Sequence, residues 1–436
     1  MHIAILDIGK TNKKCFVFDE GYRIVFETNT HLPETTDEDG DPCEDLALLK
    51  AWILETLHKV LNDPRFSIQA LNFTAYGASF VLLDAAGSEC APLYNYLKPF
   101  PADLKTKFYG DYGGEDKMAL ETASPVLGNL NSGLQLYRLK HRHPGLFQKL
   151  HTALHLPQYP YLMATGKRVS DITGIGCHTQ LWDFGKQGYH DWVKEEGVLE
   201  KLAPVAENLT TFENLSNFGA SQRHIHVGTG LHDSSAALIP YLACFREPFV
   251  LISTGTWCIS LNPFNDQPLT PSELEQDCLC YLSYRGQPVK AARLFAGYEH
   301  EQAVKRIAAQ YGISEDFFKN TGFDESVREA LQNGKPPANA EEAYHEFLSQ
   351  IIEKQVVSTR LAIGDSPVRR IFVDGGFSNN RIYMTLLARA FPEMEVNAAE
   401  VPQATALGAA MAIHDTWNPQ PLPRNLIALH TYRASE

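Results

Sequence analysis

The chain opens on an apolar strand that runs into a glycine turn and returns, HIAILDIGKTNKKCFVF (His2 to Phe18). The same design recurs at mid-chain as FVLISTGTWCIS (Phe249 to Ser260). A motif repeated once in each half of a chain implies two related structural units. Each turn combines glycine with hydroxyl or basic residues, so several backbone N–H groups can converge on one anion. Two such turns point to phosphates held between the halves, and so to a nucleotide-dependent phosphotransferase.

At 436 residues the chain exceeds one ordinary domain. Its 44% apolar and 21% charged content is that of a soluble globular protein with sizeable cores. A formal charge of −14 argues against nucleic acid as a partner, since phosphate backbones demand clustered Lys and Arg. No apolar run approaches the ~20 residues of a membrane span, and no basic-then-apolar leader opens the chain. The eight cysteines are scattered, with no C-x-x-C, and read as buried thiols in a reducing cytoplasmic compartment.

Strands are expected at Ile3 to Leu6, Cys15 to Phe18, Arg23 to Glu27 and Ala70 to Ala75, with a helix over Leu46 to Leu61. The stretch from Pro33 to Asp45 reads as a loop, and its acidic part, Asp37 to Asp45, as a solvated loop and not a calcium site, because it lacks the full EF-hand ligand pattern. His224 to Val227 forms a strand ending in Gly230-Leu231-His232-Asp233, and a small-residue helix follows. The domain change falls near Pro240 to Pro248, giving domains 1–240 and 241–436. In the second half, helices are expected over His300 to Tyr311, Glu341 to Leu361, Arg381 to Ala390 and Ala404 to His414. The Pro-rich tail after Asn418 reads as a surface segment. Alternating strands and helices make both halves α/β.

Three constellations carry chemistry. In Asp7 to Lys14, Gly9 permits the positive φ and close backbone approach of a phosphate loop. Thr11 and Asn12 add donors, and Lys10, Lys13 or Lys14 adds charge. Asp7 beside phosphate requires a cation between them, for which magnesium is the natural mediator. Asp233 can take a proton from an attacking hydroxyl, or it can cap the helix that follows, the commoner role for Asp there. In Asp374-Gly375-Gly376-Phe377-Ser378-Asn379, the paired glycines let a flat group such as adenine lie against the backbone, or simply mark a tight turn capped by Asn379. Tyr76 and Trp257 adjoin these motifs. The pairs His141/His143 and His224/His226 show no third metal ligand.

Taken in order, these motifs resemble the FGGY carbohydrate kinases of the actin-like ATPase superfamily. DIGKTNKK is similar to the family's first phosphate motif, GLHD to its catalytic Gly-x-x-Asp, STGTW to its second phosphate motif. DGGFSNN is similar to its adenosine segment, and ATALGAAMAI to its closing helix. TAYGASFVLLDAAG and ITGIGCHTQLWDF most resemble the rhamnulokinase and fuculokinase branch.

The resemblance implies two ribonuclease-H-like domains with ATP, Mg2+ and a small sugar in a central cleft. Asp233 would be the base acting on a primary hydroxyl of a ketose such as L-rhamnulose or L-fuculose, and Asp7 and Asp233 would face the magnesium. Gly9, Thr11, Asn12, Lys14, Thr254, Gly255 and Thr256 would serve the phosphates. Gln302, Gly375, Gly376 and Asn379 would serve the rest of the nucleotide, and Tyr76, Gly77, His232 and Asp233 the sugar. Three departures from the family stand out. Lys10 occupies the first turn, Tyr94-Asn95-Tyr96-Leu97-Lys98 replaces an Asp-x-Arg sugar motif, and Arg293-Leu294 stands where an asparagine is usual. The rival reading is a non-catalytic or ATP-hydrolysing actin-fold relative acting as a sugar-responsive regulator. A homodimer is left open.

Overall fold

Every strand of the first sheet lies before residue 233 and every strand of the second lies after 248. The computed structural model describes residues 1–215, 218 and 224–434. In the first sheet His2–Ile8 pairs antiparallel with Asn12–Asp19, which pairs with Ile24–His31. On its other side Ile68–Ala75 and then His224–Gly228 add in parallel. In the second sheet Phe249–Thr254 pairs antiparallel with Cys258–Asn262, which pairs with Pro288–Leu294. Arg370–Gly375 and Glu395–Glu400 add in parallel on the far side. The two halves thus share one five-strand plan, with the glycine hairpin at its centre. The mixed α/β architecture expected from the sequence is present.

The shared plan has a physical basis. In the first hairpin the residues from Ile3 to Leu6 and from Cys15 to Phe18 are all buried, so both faces of these central strands are covered. Ile24–His31 alternates between half-buried and exposed, as a sheet edge does. The Leu46–Asn62 helix starts where Asp45 accepts the N–H groups of Ala47 and Leu48, and it buries Leu49, Ile53, Leu57 and Val60 against the sheet. Residues between about 80 and 200 build a separate apolar cluster around Phe108, Tyr137 and Trp192.

The halves are joined by a helix crossing. The Asp233–Cys244 helix continues through Pro240 and does not end there. Proline has no N–H to give the carbonyl of Ala236, four residues back. The Ala404–Ala412 helix comes in against that carbonyl. A Cβ at Gly408 would lie 1.8 Å from the Ala236 oxygen and 3.3 Å from Pro240 Cδ. Only glycine allows this approach, and its Cα–H faces the carbonyl that Pro240 leaves free. A second link is the N–H of Cys280, on the edge of the second sheet, donating to the carbonyl of Ala123 at 2.9 Å.

The tail after Asn418 is the surface segment expected, and it contributes an exposed strand, Ala428–Tyr432, that pairs antiparallel with Glu395–Glu400 and covers what would be an open sheet edge. One expectation needs correction. The acidic stretch is a short hairpin, Glu34–Thr36 with Pro42–Glu44, and not a solvated loop. Its Asp37, Asp39 and Asp41 converge on Lys98 Nζ at 2.5, 2.8 and 2.9 Å, and Arg138 also holds Asp39. The buried ammonium fills the place a divalent cation would take.

Candidate active site between the two sheets

In the first glycine turn, the N–H of Gly9 donates to Asn12 O at 2.9 Å, and a Cβ on Gly9 would meet that oxygen at 3.0 Å. Close approach sets the need for glycine here. The expected positive φ is absent at Gly9, and at Gly255 in the second turn. Thr11 and Asn12 are exposed. Alternation along the returning strand separates Lys13 from Lys14, and Lys10 stays in the turn before it. Lys13, 1% exposed, turns inward and donates to Gly9 O and Lys10 O at 3.1 Å each and to Glu44 Oε1 at 2.8 Å. Lys14 lies opposite Asp7 in register and reaches Gln403 Oε1 at 3.2 Å, at the start of the Ala404–Ala412 helix. Lys10 pairs with Glu34 at 2.7 Å above the Tyr76 ring.

In the second turn the Thr254 hydroxyl donates to the carbonyl of Asp374 and accepts the N–H of Phe377 at 3.0 Å. It ties the turn to the Gly375-Gly376 segment and has no donor left for a ligand. Gly375 has φ +78°, and a Cβ there would lie 1.9 Å from Thr254 O. Thr256 is exposed in the turn.

Asp233 is the first residue of its helix, and His232 holds the N-cap position without a side-chain cap bond. The carboxylate accepts the N–H of its neighbour Ser234 at 2.6 Å and stands 3.1 Å from His232 Nε2. Asp233 thus meets one N–H of the first turn, from the first helical position and not from the N-cap position that the tetrapeptide alone favours. Its side chain stays 34% exposed. Burial works against its ionisation, but the His232 ring and the Ser234 N–H outweigh it and hold the carboxyl below the ordinary range. Asp7 moves the other way, pushed up to about 7 by burial and then by the charge of Asp233, with Lys14 opposing. An ionised Asp233 that raises the proton affinity of Asp7 at the same end of one sheet makes a carboxylate pair suited to a divalent cation, so the donor set fits magnesium.

Behind Asp233, Cys177 Sγ sits 3.2 Å from His232 Nε2. Burial opposes a charged His232, while the Cys177 sulfur and Asp233 raise its pKa. A Cβ on Gly77 would lie 3.0 Å from the His232 ring and 3.1 Å from Cys177 Sγ, so glycine leaves room for both. Tyr76 is buried and its N–H donates to Ile8 O at 3.1 Å. The strand pairing brings Asp7, Tyr76, Gly77, His232 and Asp233 to one end of the first sheet.

On the second sheet a cavity of about 740 Å³ opens beside the turn, lined by Thr254, Gly255, Gly376 and Asn379 among others. Gly297, His300, Phe318 and Arg381 also line it, and sequence reasoning singled out none of these as a nucleotide contact. Gln302 is exposed on the Ala296–Tyr311 helix and does not line the cavity. The residue capping the Arg381–Ala390 helix is Asn380, which accepts the N–H of Tyr383, and not Asn379. Arg293 and Leu294 leave no amide where the family has asparagine. Arg293 pairs with Asp277 at 2.6 Å and lies over Trp257. His143 does meet Glu38 and Asp39 at the surface, but Asp39 is already held by Lys98 and Arg138.

Residues 246–333 match the family model for the carbohydrate kinase FGGY C-terminal domain, and residues 342–413 match that for the FGGY family of carbohydrate kinases, C-terminal domain. Over these residues the chain carries the C-terminal domain of the FGGY carbohydrate kinases. The rhamnulokinase of Bacteroides thetaiotaomicron is 23% identical, with 93% of this chain and 89% of that one aligned. The L-fuculokinase of Escherichia coli K12 is 23% identical over 58% of this chain and 55% of its own length, little more than half. Among solved structures, a carbohydrate kinase from Novosphingobium aromaticivorans superposes with a TM-score of 0.79 at 23% identity, covering 99% of this chain and 96% of that one. The ligand-bound xylulose kinase of Lactobacillus acidophilus gives 0.82 at 15% identity, covering 99% and 93%. This FGGY kinase is therefore a sugar kinase with the two-domain actin-like ATPase fold. Among the described residues no helix is long and apolar enough to cross a membrane.

Proposed function

We propose that this FGGY kinase transfers the γ-phosphoryl group of ATP to a primary hydroxyl of a ketose, with L-rhamnulose and L-fuculose the first candidates. The observation that carries the reading is the placement of Asp233. It sits at the first position of its helix, where it takes the Ser234 N–H, ionised, partly open and close enough to Asp7 to raise that group's pKa. The lobes are residues 1–240 and 241–436. The rhamnulokinase and fuculokinase relatives support the choice of sugar, and the 740 Å³ cavity supports a nucleotide on the second lobe.

Bound ATP supplies the reactive phosphoryl group and magnesium neutralises its charge. The chain's share is positioning. Asp233 accepts the hydroxyl proton as the oxygen attacks. His232 and the Ser234 N–H keep its carboxylate ionised and oriented. Asp7 and Asp233 would hold the metal, Lys14 and the backbone N–H groups of the two turns would meet phosphate oxygens, and Gly77 would give the sugar room beside His232. Closure of the lobes would keep water from competing as acceptor.

The test is ADP release with a ketose panel. Sugar-dependent turnover is expected, and Asp233→Asn should lower kcat by roughly 10²–10⁴-fold. Turnover that no sugar stimulates would overturn the substrate reading, and an Asp233→Asn enzyme of full activity would overturn the base.

A further inference from the structure

His300 lies on the cavity wall between two aromatic edges. Its ring centroid is 5.0 Å from Phe318 at 85° and 5.3 Å from Phe377 at 80°, and both rings line the same cavity. Neither Phe offers a hydrogen bond, so the imidazole is the polar element of this stretch of wall.

The proton on that imidazole can be placed by following its partners. Asn380 Oδ1 accepts the N–H of Tyr383 at 3.0 Å, which fixes the amide with Nδ2 on the opposite side. That Nδ2 donates to the Tyr344 oxygen at 2.7 Å. The phenol's own proton is then free for its other neighbour, His300 Nε2, at 2.8 Å. Tyr344 is buried within the second core, so the relay is held by packing. Donation from the phenol to Nε2 is the arrangement that leaves no proton of the relay unmatched, and it puts the neutral ring's own proton on Nδ1. Burial lowers the pKa of His300 and keeps the ring neutral. Among the described residues Nδ1 has no hydrogen-bond partner.

We propose that His300 reads the nucleobase, its Nδ1–H donating to N3 or N7 of a bound purine, with Asn380 and Tyr344 as positioning residues that fix the tautomer. The inference rests on the ATP reading above and adds to it the residue that tells one base edge from another. A ring with its proton on Nε2 would offer the cavity a lone pair and repel the same nitrogen.

Two measurements test it. In the ligand-free protein, 15N-detected imidazole shifts should show His300 protonated on Nδ1, with Tyr344→Phe mixing the tautomers. A ring protonated on Nε2 in the unmodified protein overturns the relay whether or not nucleotide binds. Calorimetric titration with a non-hydrolysable ATP analogue, its 7-deaza and its 3-deaza forms then tests the contact. One deaza form should bind the unmodified protein roughly tenfold more weakly, and His300→Leu should lose affinity for the parent analogue by the same factor. In His300→Leu the three analogues should bind alike. His300→Asn, whose amide N–H takes the place of Nδ1–H, should restore most of the affinity. Equal binding of all three by the unmodified protein overturns the contact and leaves the ATP reading intact, and so does equal binding of the parent by His300→Leu. No binding of the parent analogue to the unmodified protein sinks the ATP reading itself.

Discussion

Replacing Lys13 by methionine should uncouple two things the residue does at once. Its ammonium is buried against Glu44, 5% exposed, and it also holds the carbonyls of Gly9 and Lys10 at the first glycine turn, the proposed phosphate site. Removing one partner of a buried ion pair costs about 3–5 kcal/mol, because the other charge is left without compensation. Lys10 lies 3.9 Å from the same Glu44 oxygen and softens that loss, so the lower end, ~3 kcal/mol, is expected. At about 2–4 °C per kcal/mol for a lobe of this size, thermal unfolding should come ~6–12 °C earlier. The freed carbonyls should loosen the turn, raising KM for ATP about fivefold through two lost hydrogen bonds of ~0.5 kcal/mol each. Lys13→Met with Glu44→Gln removes both charges and should recover most of the stability while KM stays raised. Calorimetry and initial-rate kinetics on the two variants and their parent separate the effects. Should the double variant recover KM as well, or should Lys13→Met melt within 1–2 °C of the parent, the clamp is refuted.

Other variants probe the core beneath the site. Burial pushes Asp374 up to about 6, with bonds from Ser253 and Tyr241 opposing. The folded state therefore binds its proton more tightly than the unfolded chain, and stability falls as pH rises from about 4 to 6. Asp374→Asn should be more stable than the parent above pH 6, by up to ~3 kcal/mol, with the difference gone near pH 4 in urea melts. His155 is buried against Phe80 with both ring nitrogens unpartnered among the described residues, and burial holds it down to about 3. Its unfolded form takes up a proton near 6.5, so stability is lost as pH falls below that value. His155→Phe should flatten that acid limb and add about 1 kcal/mol at pH 7. Gly408→Val should drive the crossing helices apart and cost about 2–3 kcal/mol by overpacking, read as a lower unfolding midpoint.

The sequence by itself determined the repeat, the glycine hairpins, most of the central strands and the order of the site motifs. These are local signals: buried runs mark strands covered on both faces, and a glycine is demanded where Gly9 meets Asn12 O. Tertiary structure decided the rest. Three lysines within five residues look alike in sequence, yet alternation along one strand buries Lys13 under the turn and aims Lys14 at Gln403, while Lys10, in the turn before the strand, pairs with Glu34. Asp37, Asp39 and Asp41 read as a solvated run until Lys98, some sixty positions away, is brought among them. Cys177 and His300 carry no local signal at all. One becomes a neighbour of His232 only when the Gly77 turn closes over it. The other lines a cavity only because Tyr344 and Asn380 arrive from separate helices. Proximity between residues distant in the chain comes from packing the cores, and no period or motif records it.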